Sequence, residues 1–161
     1  MKPVRNASQR AHVAFFAMSM ALCGAIFPPI SHAQPRTPQE NKQMVIDFYT
    51  MAFEKKLVKE AFEKYVGDIY IQPNPRVPDG KEAAVKFLSE RFRDTPQRIV
   101  EIKRVIGDGD LVAVHVHSRN NPEDRGGAIV DIFRVEHGKI VEHWDVIRPV
   151  PETAANQNTM C

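Results

Sequence analysis

The chain is poor in cysteine: two among 161 residues, at positions 23 and 161, too few for a disulfide scaffold. Neither is placed as a nucleophile beside a base. It also has little net charge. The formal +2 comes from the first 33 residues, which hold Lys2, Arg5 and Arg10 and no acid. Without them the 22 basic residues fall to 19, against 20 acidic ones. A domain so near neutrality lacks the electrostatic footprint of a nucleic-acid binder. Glycine is scarce, with 8 in all, and Gly107-x-Gly109 falls in a hairpin, so no phosphate-cradling loop opens a helix. There is no Gly-x-Ser-x-Gly elbow for a serine hydrolase.

What is present fits one ordinary globular domain, with 43% hydrophobic and 26% charged residues. The beginning stands apart. A basic start precedes an apolar run from Ala11 to Ile26, then Pro28-Pro29 and Ser31-His32-Ala33. Small residues at Ser31 and Ala33 match a signal-peptidase site. The run is short for a membrane helix, which needs about 20 residues. Residues 1–33 therefore read as a signal peptide, and 34–161 as the exported domain, periplasmic or secreted and free of the membrane. Its core is expected over about 41–151, with a polar tail at 152–161.

Thr37-Pro38-Gln39-Glu40 is a capping-box helix start. The apolar spacing after it predicts a helix through Ala52. A second helix is expected over Leu57–Tyr65. A short extended piece, Asp68–Gln72, ends at Pro73-Asn74-Pro75. A third helix should run from Asp79-Gly80 to about Phe92. The apolar period then changes to two. Strands are expected over Ile99–Ile106, Leu111–Ser118, Ala128–Val135 and Lys139–Ile147, with turns at Gly107–Asp110 and Glu136–Gly138. Helices followed by hairpin strands give an α+β domain, with three helices packed on a curved, mostly antiparallel sheet.

Asp131 lies inside Ile129-Val130-Asp131-Ile132-Phe133. A carboxylate in an apolar strand is costly unless it meets a partner, water or a ligand. Two readings stay open: an acid/base group in a pocket, or an ion pair with Arg134, Arg148 or a histidine. His115 and His117 share one face of their strand, and His143 and Asp145 repeat the alternation on the last. If the histidine face meets Asp131, His117 can hold the aspartate or donate to an oxyanion. His115-x-His117 has no further ligand spacing to support a metal site, and none is expected. Trp144 reads as a core or subunit-interface anchor.

Ile129–Val135 and Gly138–Asp145, with Tyr70-Ile71-Gln72, Asn74-Pro75 and Gly109-Asp110-Leu111-Val112, resemble the SnoaL-like polyketide cyclases of the nuclear transport factor two superfamily. The resemblance covers roughly Asn41–Pro151. It implies a cone-shaped domain. It also implies a strand aspartate that acts as acid and base in an intramolecular aldol condensation, with a histidine on the preceding strand beside it. The matching positions are Asp131 and His117. The asparagine that those cyclases use near the first helix has its nearest counterpart in Asn41. Relatives often carry a histidine between the Gln and Asn of the extended segment, where this chain has Pro73.

The expectation is a cofactor-independent lyase or isomerase acting on a small apolar carbonyl compound. Asp131 and His117 would be catalytic. Tyr49, Tyr70, Phe87, Phe133, His115, His143 and Asp145 would bind substrate. A non-catalytic small-molecule-binding domain and an epoxide-type hydrolase are the alternatives. A homodimer through the outer sheet face is expected in each case.

Overall fold

The computed structural model describes residues 36–161. The leader expected over 1–33 lies outside the described residues. Helix α1 (Pro38–Tyr49) starts as expected: the Glu40 amide donates to Thr37 Oγ1 at 3.2 Å, and the Thr37 amide donates to Glu40 Oε2 at 2.7 Å. It buries Asn41, Met44, Val45, Phe48 and Tyr49, a stripe of three- and one-residue steps. It then widens into a π turn, Thr50–Glu54, in which the Lys55 amide donates to the Thr50 carbonyl at 3.0 Å. Helices α2 (Val58–Tyr65) and α3 (Lys81–Asp94) follow, separated by strand β1 (Val66–Ile71).

Strands β2 (Ile99–Asp108), β3 (Leu111–Arg119), β4 (Gly127–Glu136) and β5 (Lys139–Pro149) complete a five-stranded sheet of order β1-β5-β4-β3-β2. Every neighbouring pair is antiparallel except β1 with β5, which is parallel. The β4–β5 hairpin turns on His137 and Gly138, both at positive φ, as a right-twisted hairpin requires. Gly126 is required for a different reason: a Cβ there would come within 2.1 Å of the Ser118 carbonyl oxygen. The chain beyond Pro149 is irregular, as its composition predicts.

The register divides the sheet into two faces, because directly paired residues point the same way. One face carries the rows Val112–Phe133–His143, Val114–Asp131–Asp145 and Val116–Ile129–Ile147. The three valines are 0% exposed, so this face meets the helices. The other face carries Ala113–Ile132–Trp144, His115–Val130–Val146 and His117–Ala128–Arg148. Three helices against one face of a curved, mixed, open sheet make an α+β cone. Phe48 sits at its centre, in edge contact with Phe62, Tyr65 and Phe133.

Phe48→Ala should therefore cost about 3–5 kcal/mol in urea unfolding at unchanged m-value. A loss below about 1 kcal/mol would show that this aromatic cluster is not the centre of the core.

Candidate active site

A cavity of about 430 Å³ lies between α1, the π turn, α3 and the inner face of the sheet. That is the size of a small-molecule site. Most of its wall is aromatic or aliphatic. Asp131 lies in this wall, with 6% of its surface exposed.

Each Asp131 oxygen has a partner. The Tyr49 hydroxyl donates to Oδ2. His143 Nε2 lies 3.0 Å from Oδ1. The π turn begins directly after Tyr49, and Phe53 folds back through it to stack on the Tyr49 ring at 4.2 Å between centroids. That stack holds the phenol over β4. The His143 ring stacks on Phe133, 4.8 Å away and 22° from parallel. The two aromatic supports therefore fix both donors.

The His143 tautomer follows from its far side. The Asn74 amide donates to Gln72 Oε1 at 3.1 Å. A backbone N–H can only donate, so the Gln72 oxygen faces Asn74, and Nε2 faces His143 Nδ1 at 3.3 Å. That amide nitrogen also only donates, so Nδ1 accepts. The neutral ring then carries its proton on Nε2 and gives it to Asp131. Asn74 Nδ2 donates to Asp145 Oδ2 at 2.6 Å, which ties the second acid of the row to the same loop.

Both cavity phenols resist ionisation. Burial pushes the Tyr49 hydroxyl well above its ordinary value of 10.0, and the negative charge of Asp131 adds to this. Burial, then Asp131 and Asp145, also raise Tyr70. The Tyr70 oxygen accepts weakly from Gln72 Nε2 at 3.4 Å, which leaves its own O–H to donate into the cavity.

Of the nine site residues expected from the sequence, the cavity gathers seven: Asp131, Tyr49, Tyr70, Phe87, Phe133, His143 and Asp145. The other two need correcting. His117 and His115 point to the opposite face. Val114 is the residue that pairs with Asp131, and the histidines are one step out of phase with it. His117 Nε2 donates to the Arg125 carbonyl at 2.8 Å, and His115 Nδ1 accepts from Arg104 at 2.8 Å. The histidine beside Asp131 is His143, on the following strand. Asn41 also lies away from the cavity, and its amide donates to the Gly109 carbonyl at 3.1 Å.

The ion-pair reading of Asp131 loses its arginines. Arg134 pairs with Glu136 and Glu142, and Arg148 lies in the outer row of His117. Gln72, Asn74, Phe53, Arg91, Arg98 and Ser118 also line the cavity, beyond the residues expected from the sequence. The alternation Tyr70-x-Gln72-x-Asn74 was the available signal for the first two. Pro73 between them is exposed and does not line the cavity.

The raised phenols have a measurable consequence. The native state keeps protons on Tyr49 and Tyr70 above pH 10, where the unfolded chain releases them. Stability should therefore fall as pH climbs past the ordinary phenol value. Absorbance at 295 nm should show both phenols ionising only when the protein unfolds. Tyr49→Phe should remove one of these unfolding-linked ionisations. Two phenols that titrate near pH 10 in the folded protein would contradict this burial.

The wider comparisons agree with the geometry. The family model described as a SnoaL-like domain matches residues 45–143, a span that includes both Asp131 and His143. No curated protein sequence matches the chain. Among solved structures, a SnoaL-like protein of unknown function from Burkholderia thailandensis is 17% identical, with a TM-score of 0.59 over 71% of this chain and 99% of that one. TsrD from Streptomyces laurentii is 18% identical, with a TM-score of 0.57 over 70% and 91%. A candidate polyketide cyclase from Bacillus cereus is 25% identical, with a TM-score of 0.57 over 67% and 74%. These structures share the cone, and the family model covers most of the described domain: the chain belongs to the SnoaL-like domain family.

Proposed function

We propose that the protein is a cofactor-independent acid/base enzyme, a lyase or isomerase of the aldol-condensation type, acting on a small carbonyl compound held in the cavity. One observation carries the reading. Asp131 is a buried carboxylate in an aromatic pocket, and its partners are the Tyr49 phenol and the His143 imidazole, with no lysine or arginine within ion-pair distance among the described residues. A structural carboxylate at this depth is normally matched by a positive charge. Here the two hydrogen bonds aim the group and leave a lone pair on each oxygen free for a substrate proton.

The chemistry follows from the geometry. Asp131 takes the proton from the carbon next to the carbonyl. The C–H electron pair moves into the enolate, and the developing oxygen charge accepts a hydrogen bond from the Tyr70 O–H. In an isomerisation the same carboxyl returns the proton to a different carbon. In an aldol closure the enolate carbon bonds to a second carbonyl, and the carboxyl protonates the new alkoxide. Positioned proton transfer supplies about 10²–10⁴-fold. One oxyanion donor adds about 10²–10³-fold. Together these suit a carbon acid that is already activated, such as one flanked by two carbonyls. The solved relative named as a candidate polyketide cyclase is consistent with such a substrate.

On a panel of 1,3-dicarbonyl and enone substrates, Asp131→Asn should lower kcat by about 10²–10⁴-fold with the fold intact. His117→Gln should leave kcat within about twofold, because that ring lies on the opposite face from the carboxylate. Activity that survives Asp131→Asn would sink the enzymatic reading. Tight binding of a panel member without turnover would favour a binding domain.

We also infer a homodimer across the outer sheet face. Val130, Val146 and Ile106 are 37%, 68% and 67% exposed there, and half-buried Ile132 and Trp144 complete an apolar patch. Patches of this kind mark interfaces, and a stable one needs about 800 Å² per partner. Light scattering should give twice the chain mass, and Val146→Asp should halve it. A monomer at all concentrations would refute the dimer.

A further inference from the structure

The cavity has a second polar end that the acid/base reading does not use. Arg98, just before β2, and Arg91, in the last turn of α3, both line it. Among the described residues no carboxylate lies within ion-pair distance of either guanidinium. Arg98 spends one hydrogen bond on Asn120 Oδ1, at 2.7 Å. The nearby Asp124 carboxylate is already occupied by the amides of Asn120 and Gly126, both at 2.9 Å. The Arg91 side chain has no hydrogen-bond partner among the described residues.

Ser118 lies on β3, opposite Val100 of β2. Its side chain lines the cavity with 4% of the residue exposed, and its hydroxyl has no hydrogen-bond partner among the described residues. A buried hydroxyl left unpaired is destabilising. An oxygen-bearing ligand would remove that cost. The proximity of the two arginines points the same way. Burial, and then the positive charge of Arg91, push the Arg98 guanidinium down to about 10. It is still charged at neutral pH, and two adjacent cations await an anion.

The register measures the distance between the two ends. Ser118 lies four residues along β3 from Val114, the partner of Asp131. At about 3.3 Å per residue, the ends are about 13 Å apart, backbone to backbone. Ile129, opposite Val116, lies in the row between them, and Phe53, Leu88 and Phe92 add apolar lining to the same cavity. An apolar body of about two fused rings spans that gap. The acidic end, with Asp131 and Asp145, repels an anion and so sets the direction of entry.

We propose that the cavity takes amphipathic anions: an apolar ring body whose carboxylate is held by Arg98, Arg91 and Ser118, with its reactive carbonyl end directed at Asp131. This names the substrate class of the reading above and rests on it for the chemistry, but not for the binding.

The test is therefore a binding measurement. Titration calorimetry compares 2-naphthoate with methyl 2-naphthoate, equal in ring body and different in charge. The acid should bind at least about tenfold more tightly at low salt, and added salt should narrow the gap. Arg91→Gln, on an exposed helix turn, should cut the preference severalfold. Arg98→Gln in addition should abolish it, while Arg98→Lys should keep part of it. Thermal melts confirm that each variant folds. Asp131→Asn should bind 2-naphthoate at least as well as the native chain, so a failed activity assay leaves this proposal standing. Equal affinities, preference for the ester, no binding of either probe, or a preference that survives the double arginine variant would each overturn it.

Discussion

The pairing of Asp131 with Val114 on one side and Asp145 on the other governs the rest of the molecule. That register turns the carboxylate toward the helices. A one-residue slip of β4 would turn it outward, and a slip of β3 would bring His115 or His117 inward in place of the valines. The valines prevent this. Val112, Val114 and Val116 have no exposed surface, and turning them outward would forfeit about 1.5–3 kcal/mol each. The same apolar burial that holds the sheet against α1 therefore also holds an acid in the cavity wall. The stability of the fold and the placement of the site depend on one choice of phase.

A carboxylate placed there must be satisfied, and the means of satisfying it determine what it can do. A guanidinium would have neutralised it and closed the site. Tyr49 and His143 instead supply hydrogen bonds, one to each oxygen. Each is itself held by a ring, Phe53 under the phenol and Phe133 under the imidazole. Beyond His143, Gln72 and the Asn74 amide fix the direction of the proton. The chain of donors starts at a backbone N–H, which cannot reverse, and ends at Asp131. Every link is therefore oriented by a group whose polarity is fixed by covalent structure.

The legible parts of the sequence were those with a periodic signal. Thr37-Pro38-Gln39-Glu40 announced α1, and the alternation of Leu111–Ser118 separated valines from histidines. The unpaired apolar setting of Asp131 marked it as exceptional. What alternation cannot give is which face meets the helices, since both faces of β3 carry groups suited to burial or to chemistry. The aspartate's histidine was therefore expected on β3, when cross-strand pairing places it on β5 opposite Phe133. The loop contributions were less legible still. Gln72 and Asn74 matter because β1 runs parallel beside β5, a long-range pairing that no local pattern encodes. Arg91 and Arg98 read as ordinary surface charge at the end of a helix and the start of a strand. They become a pair only when α3 packs over the sheet.

The cavity also reflects a compromise between packing and function. A core of this size could be filled with aliphatic side chains and would be more stable for it. The cavity instead has a buried acid at one end and, at the other, a hydroxyl and two arginines that have no hydrogen-bond partner and no carboxylate partner, respectively, among the described residues. Each departure costs stability when considered alone. Their arrangement at opposite ends of an apolar wall gives them a common explanation. One end offers hydrogen-bond donors around a carboxylate, the other offers cations and a hydroxyl, and the apolar wall between lowers the local dielectric and strengthens both. Local rules are broken at these positions and kept across the rest of the inner face, which is the pattern expected where a fold has been shaped around a ligand.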